Sequence, residues 1–379
     1  MTLLATQPIK GLYALVATAF ELACLPLWLV KHLTAYGRSH PSWSYRQSLS
    51  IHLFYNFLKH AATVQVKSPT PLTPGAEKER FVVIKSKSDD VQKYFRGPLV
   101  GNPDVRPQDL GATWYPAPLS KDSELGNVLV VLHVHGGAYV VGDGRTESLG
   151  FLAGNLLKHT PATHVLAPQY RISTLPASKT SNPFPAALQD TLTTYLYLLH
   201  ELKIPAKNII LSGDSAGANN SIALLRYLLE HGADVSLPSP SAALLFSPWT
   251  NPVYPTSDFV PNNPNYGTDY LSHAFVSWGS RAYGGLGGPA SLEHGYAAVN
   301  GRPFRTEVPM WVTAGTAELL YFQDKEWAEM MAKEGNNVVF DEEEGAPHDV
   351  LLLGDTLGFA AAAARVSKRA GEWLKEVRK

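Results

Sequence analysis

A chain of 379 residues, 45% of them apolar, carries a formal net charge of −1. That is ample for a sizeable core and leaves no basic excess to hold nucleic acid, so no nucleic-acid partner is expected. The lone cysteine, Cys24, rules out an intrachain disulfide and any cysteine-built metal centre. The chain is therefore read as intracellular rather than as a disulfide-rich secreted protein.

The first distinctive element is "GLYALVATAFELACLPLWLV", residues 11–30, whose only charge is Glu21. Twenty such residues are long enough to cross a bilayer as a helix. Against that, Glu21 near the centre costs about 2.5–3.5 kcal/mol on insertion scales, and Pro26 would kink the helix. No small-residue cleavage site stands out, so a removed signal peptide is not expected. Two readings stand for residues 1–35: an apolar membrane anchor, or a helix packed on the protein's own surface. Apolar residues on nearly all sides favour attachment, which predicts partition with membranes. If the segment spans, Lys31, His32, Arg38 and Arg46 against Lys10 favour a cytosolic main body.

Residues 36–124 read as a lead-in and cap region. "WSYRQSLSIHLFYNFLKHA", from Trp43, sets Leu49, Leu53, Phe57 and Ala61 on one helical face, beside Phe54 and Leu58. From Ser68 to about Glu124 the chain is rich in proline, glycine and charge, with one short strand-like run, "RFVVIKS".

From residue 125 to 379 the rhythm changes. "NVLVVLHVHGG", "THVLAPQYR", "NIILSG", "SAALLFSPW", "VPMWVTAGT" and "NVVFDEEEG" read as strands. Between and after them, "PAALQDTLTTYLYLLHEL", "ANNSIALLRYLLEHG", "YFQDKEWAEMMAKEG" and "TLGFAAAAARVSKRAGEWLKEVRK" read as helices. Apolar strands alternating with helices predict an α/β fold with a mostly parallel sheet covered on both faces. One stretch, about 250–293, breaks the alternation and carries Tyr254, Phe259, Tyr266, Tyr270, Phe275, Trp278 and Tyr283. An aromatic insertion between two core strands suits a cap over a pocket. The sequon Asn219-Asn220-Ser221 lies inside a core helix and is expected to be unused.

Gly213-Asp214-Ser215-Ala216-Gly217 fits G-x-S-x-G, with an apolar strand before it and a helix directly after. That context exposes a serine on a sharp turn, flanked by small residues that let helix and strand approach. A serine hydroxyl needs a base to take its proton and a carboxylate to orient the base, in the order Ser, acid, His. Of His231, His273, His294 and His348, only His348 lies in the loop after the last strand, within "EEEGAPHDV". The acid is sought after "VPMWVTAG", where Glu318 is preferred to Asp324, already inside the next helix. Asp349 adjoins His348 and, on an extended loop, points away from it. The run Asp341 to Glu344 reads as a solvated strand edge that could raise the pKa of His348. "HVHGGAYV" supplies a glycine turn after the first core strand, so the amides of Gly137 and Ala138, with that of Ala216, are the expected oxyanion donors.

These features together resemble the hormone-sensitive-lipase family of α/β-hydrolases. The matching residues are His135-Gly136-Gly137-Ala138-Tyr139, Tyr170-Arg171 leading to "PFPAALQD", Gly213 through Gly217, "SPW" at Ser247, Glu318 and His348. They cover roughly the last two thirds of the chain. Ala138 stands where the family usually has a third glycine, and Glu318 where it more often has Asp. The resemblance implies an α/β-hydrolase fold with a cap from the amino-terminal helices and the 250–293 insertion. It also implies hydrolysis of a small-molecule carboxylic ester, with neither cofactor nor metal. The same side chains would serve a deacetylase, lactonase or acyltransferase, and a non-catalytic receptor on this fold would usually lack one of them.

Overall fold

In the run "VVLHV" every residue is buried, which a strand covered on both faces requires. The computed structural model describes residues 3–87, 89, 93–119, 124–253 and 262–379. Its strands are β1 (Phe81–Ile84), β2 (Leu110–Tyr115), β3 (Val130–Val134), β4 (His164–Gln169), β5 (Ile209–Asp214), β6 (Ala242–Phe246), β7 (Met310–Gly315) and β8 (Val338–Glu343). They form one sheet in the order β1-β2-β4-β3-β5-β6-β7-β8. Pairing is antiparallel for β1–β2 and β2–β4 and parallel from β4 to β8.

The helices are α1 (Ile9–Leu33), α2 (Tyr45–Thr63), α3 (Thr146–His159), α4 (Ala186–Leu196), α5 (Ala216–His231), α6 (His273–Gly284), α7 (Tyr321–Lys333), α8 (Val350–Leu357) and α9 (Ala360–Val377). Successive strand residues point to opposite faces, so Val131 joins Leu149, Leu351 and Val366 of α3, α8 and α9. Val130 and Leu132 instead join Leu188, Ile222 and Trp327 of α4, α5 and α7. Helix α3, after β3, lies on one face and α5, after β5, on the other. The chain thus departs in opposite directions from the neighbouring strands β3 and β5, which opens a crevice at their carboxyl ends.

The sheet reaches back before residue 125. Strand β2, "LGATWY", is buried throughout and pairs with β4, inside a stretch that its prolines and charges made look irregular. Helices α3 and α8 are likewise additions to the sequence reading; Gly358, at φ 86°, separates α8 from α9.

The amino-terminal helices pack on each other and on the body. Ser44 caps α2 in a capping box with Gln47. The face of α2 turned inward is Ile51, Leu58, Ala61 and Ala62, with Phe54 and Tyr55 partly buried. Leu53 and Phe57, expected on the buried face, are exposed. Ala61 of the expected face and its neighbours Phe54 and Leu58 do face the body, so the buried face is rotated from the expected one rather than opposite to it. Helix α1 is the one described helix long and apolar enough to cross a membrane. Its polar groups are turned to α2: Glu21 meets His60 at 3.2 Å and Asn56 at 3.1 Å, and buried His32 meets Ser48 at 2.9 Å. Its other side leaves Leu12, Leu15, Val16, Phe20 and Val30 bare.

Candidate functional site

Ser215 stands between β5 and α5 at φ 50°, ψ −116°, a conformation that non-glycine residues rarely adopt. Two backbone bonds hold it there: Ser215 N donates to Phe246 O at 2.8 Å, and Trp249 N donates to Ser215 O at 3.0 Å. The flanking glycines are required by contact. A Cβ on Gly217 would sit 1.9 Å from Val134 O, and one on Gly213 would sit 2.4 Å from Gly217 C. The sharp turn and close helix expected from Gly213 to Gly217 are both present.

His348, in the loop between β8 and α8, brings Nε2 to 3.0 Å from Ser215 Oγ. Glu318, in the turn after β7, lies with Oε2 3.4 Å from His348 Nδ1. That is ion-pair range and long for a hydrogen bond, as such contacts often are before substrate arrives. The same Oε2 accepts from Ser247 Oγ at 2.7 Å. Burial works against charge on the imidazole, but the bond and charge of Glu318, then Asp269 and Asp349, outweigh it and push His348 up to about 9. The structure thus joins the three residues that the sequence selected, from three separate loops. His231, His273 and His294 are not part of this group.

The glycine turn after β3 lies against the same serine. Gly136 N donates to Asp214 Oδ2 at 2.9 Å, so this amide is used in positioning the turn. A Cβ on Gly136 would stand 2.3 Å from that oxygen. Gly137, Ala138 and Tyr139 all have positive φ. Among the described residues the amides of Gly137 and Ala138 meet no acceptor, and the amide of Ala216, first in α5, has none within its helix. His135 stacks on Tyr170 with centroids 4.1 Å apart and donates through Nδ1 to Gly136 O at 2.7 Å. Tyr170 Oη in turn donates to His135 O at 2.9 Å. The neighbouring Arg171 is committed to a buried ion pair with Asp190.

Two rivals for the acid are accounted for. Asp324, buried in α7, makes a side-chain contact with Glu318 rather than with the imidazole; burial first, then the charge of Glu318, drives its carboxyl well above the ordinary range. Asp349 is not on an extended stretch. It is a left-handed residue that caps α8, and its side chain faces Asp214. The run Asp341 to Glu344 closes the edge strand β8 with Glu342 and Glu344 exposed, as expected, but the charges of Asp341, Glu342 and Glu343 are paired. Asp341 and Glu343 pair with Arg369, Glu343 also with Arg365, and Glu342 with Lys325. These cations hold the run to α9 and α7, and the carboxylates acting on His348 are others.

Sequence reasoning missed Asp269, whose carboxylate accepts from Leu319 N at 2.5 Å and Tyr270 N at 2.6 Å and so fixes the Glu318 turn. No local pattern marks it, because its partner lies 50 residues away. Ser247, quoted within "SPW", carried a signal but no assigned task. Over Ser215 opens a cleft of about 140 Å³, walled by Phe54 and Leu58 of α2, by Tyr270 and Phe275, and by Leu352 and Leu353 of α8. Residues of both the amino-terminal helices and the aromatic insertion thus wall the cleft. Tyr283 instead stacks on Tyr139, 3.7 Å between centroids, and Tyr254 and Phe259 lie outside the described residues. Among the described residues no cluster of histidine, cysteine and carboxylate side chains is arranged to hold a metal.

Residues 131–352, more than half of the chain, match the family model described as alpha/beta hydrolase fold. An acetyl-hydrolase of Streptomyces hygroscopicus is 35% identical over 126 residues, 32% of this chain and 36% of that protein. Steryl acetyl hydrolase 1 of Saccharomyces cerevisiae is 25% identical over 235 residues, 55% of this chain and 50% of that protein. The chain thus spans half or less of the length of both curated relatives. Among solved structures, an esterase from the bacterial hormone-sensitive lipase family superposes with a TM-score of 0.61 at 19% identity, covering 89% of this chain and 100% of that one. At that identity the superposition speaks for the fold.

Proposed function

From the premise that the chain belongs to the alpha/beta hydrolase fold family, we propose that it is a serine esterase acting on carboxylic esters of lipophilic alcohols. The observation that carries this reading is Ser215 Oγ, 3.0 Å from His348 Nε2 on a strained turn beside unengaged amides. Ser215 attacks the ester carbonyl while His348 takes its proton, and Glu318 stabilises the imidazolium that forms. The amides of Gly137, Ala138 and Ala216 receive the oxyanion. His348 then returns the proton to the leaving alcohol, and water enters by the reverse path to release the acid.

Within that reading we favour a small acyl group, acetyl in the first instance. The cleft of about 140 Å³ is below the size that encloses a whole drug-sized ligand, and its walls are mainly apolar. Both curated relatives are named for acetyl hydrolysis. The bulky alcohol would then extend toward α2 and α6. We also assign the bare side of α1 to a membrane surface: its one carboxylate, Glu21, is turned to α2, which leaves an uncharged face for the lipid.

The test is a panel of p-nitrophenyl esters from acetate to palmitate, run beside labelling with a fluorophosphonate. Wild type should label at Ser215 and prefer the short esters. Ser215→Ala should fold normally, fail to label and keep less than about a thousandth of kcat. A Ser215→Ala protein that still turns over would end the nucleophile assignment, and a preference for palmitate would end the acetyl reading.

A further inference from the structure

Asp349 has no part in the proton relay, yet it is fully built into the site. Its backbone is left-handed, at φ 45°, ψ 61°, and its Oδ1 accepts from Leu352 N at 3.1 Å as the cap of α8. Its other oxygen, Oδ2, is buried and meets no N–H or hydroxyl donor among the described residues. The side chain meets the carboxyl group of Asp214, and both residues line the cleft over Ser215. The Asp214 oxygens are both engaged, Oδ1 with His133 Nε2 and Oδ2 with Gly136 N, each at 2.9 Å. Burial keeps His133 neutral, at about 3. The one cation acting on both carboxyls is the His348 imidazolium, which Glu318 and Asp269 already share.

Two carboxyl groups in contact inside a protein cannot both stay ionised, so one proton lies between them. Asp214, which accepts two N–H bonds, is the better anion, and Asp349 is the better acid. We propose that Asp349 is a positioning residue held as a neutral carboxylic acid, whose hydroxyl donates to Asp214 and ties the loop of His348 to the turn of Gly136, Gly137 and Ala138. One bond then links three loops: Asp349 adjoins His348, Asp214 adjoins Ser215, and Asp214 grips Gly136 N. Neutrality has a second use. The groups around Asp349 are Asp214 and His133 from the central strands, and His135 and Asp143 from the oxyanion side. From the other side come Asp269 and Tyr270 ahead of α6, Glu318 after β7, His348 in its own loop, and Glu343 of β8, itself paired with Arg365 and Arg369. With Asp349 neutral, one imidazole answers to three carboxylates instead of four.

The sign of the pH effect follows. An acid kept protonated by folding stabilises the fold fully below its unfolded value, about 3.9, and loses that contribution as pH climbs toward its raised folded value. Burial and then the charge of Asp214 raise Asp349 well above the ordinary range. Alkali should therefore loosen the link.

Two variants separate the tasks of Asp349. In Asp349→Asn the amide oxygen can still cap α8 and the amide N–H can still donate to Asp214, in a residue type that tolerates a left-handed backbone. In Asp349→Ser the cap remains, and the side chain is too short to reach Asp214. The kinetic arm rests on the esterase reading; the melting and infrared arms do not. We expect Asp349→Asn to retain kcat within about threefold at neutral pH, since geometry is kept. It should also melt progressively higher than wild type as pH rises, and lack one protonated-carboxyl infrared band that wild type shows. Asp349→Ser should fold but lose about 10- to 100-fold in kcat with little change in KM, the effect of a slightly misplaced site. An Asn variant as impaired as the Ser variant would mean that the charge is needed, and would overturn the proposal. So would an Ser variant as active as wild type, or an unchanged infrared spectrum. If wild type hydrolysed no ester while the infrared band vanished in Asp349→Asn, the esterase reading would fail and the neutral acid would stand.

Discussion

Replacing Glu318 with Gln withdraws the anion next to His348 and changes almost nothing in volume. Ser247 can keep a partner, because its hydroxyl, which now donates to Oε2 at 2.7 Å, can instead accept from an amide N–H in that place. The imidazole loses the main influence that holds it up to about 9. Burial, which acts the other way, then dominates, and His348 should fall below its ordinary value of about 6.5. A fall of more than two units, at about 1.4 kcal/mol per unit, removes roughly 3 kcal/mol of imidazolium stabilisation. That is about 10²–10³ in rate. An amide N–H facing Nδ1 also selects the wrong tautomer, which brings the expected loss to about 10³–10⁴ in kcat. Asp324→Asn is the matched control. It leaves an N–H beside Glu318 and should cost no more than about tenfold, since the carboxylate keeps its charge. The assay is steady-state hydrolysis of p-nitrophenyl acetate across pH, with melting temperatures to verify that both proteins fold. If Asp324→Asn were the more damaging, or if Glu318→Gln left the pH midpoint in place, the assignment of the acid would be refuted.

The wild-type pH profile gives a second check. kcat/KM should rise as the imidazole loses its proton, with a midpoint above about 6.5 and no higher than about 9, because a neutral Asp349 withholds one of the charges acting on it. Glu342→Gln should leave that midpoint unmoved, since its carboxylate is tied to Lys325 at 3.1 Å; a downward shift would return the acidic run to the site. For the amino terminus, full-length protein should sediment with liposomes or partition into detergent. A chain beginning at Ser39 should be soluble and still cleave p-nitrophenyl acetate, while losing more on esters dissolved in vesicles. Full-length protein that stayed in the aqueous phase would remove α1 from the membrane.

The legible part of this molecule is the part written in short-range chemistry. Strands β3, β5, β6 and β7 are apolar runs ended by turn residues, and burial on both faces is what such runs need. Ser215 was readable because a tight turn forces small neighbours within two positions, and Gly217 has no room for a Cβ beside Val134 O. His348 and Glu318 followed from strand order, since parallel strands deliver their following loops to one edge. Strand β2 was hidden because its neighbour β4 is distant in sequence and nothing in "LGATWY" announces the pairing. The exposure of Leu53 and Phe57 on α2 was hidden for a related reason. Periodicity finds an apolar face, and only the neighbours decide which part of it is buried.

The carboxylates show where this limit matters most for chemistry. Asp324, Asp349 and Glu318 were ranked for one post by loop position, as though each were an anion in search of a cation. The fold supplies one imidazole, so the remaining acids need another form in which to be buried. In contact with a second carboxyl group, the form that burial permits is the protonated one, which turns an acceptor into a donor. Asp324 beside Glu318 and Asp349 beside Asp214 both meet that condition. A sequence displays an aspartate's identity but not its proton, and the proton depends on groups brought together from β5, β7, α7 and the loop after β8. The acidic run from Asp341 to Glu344 is the converse case. It looked like the local source of negative charge on His348, yet Arg365 and Arg369 of α9 meet its carboxylates first. Of the carboxylates that act on His348, only Asp349 adjoins it, whereas Glu318 and Asp269 come from distant segments of the chain.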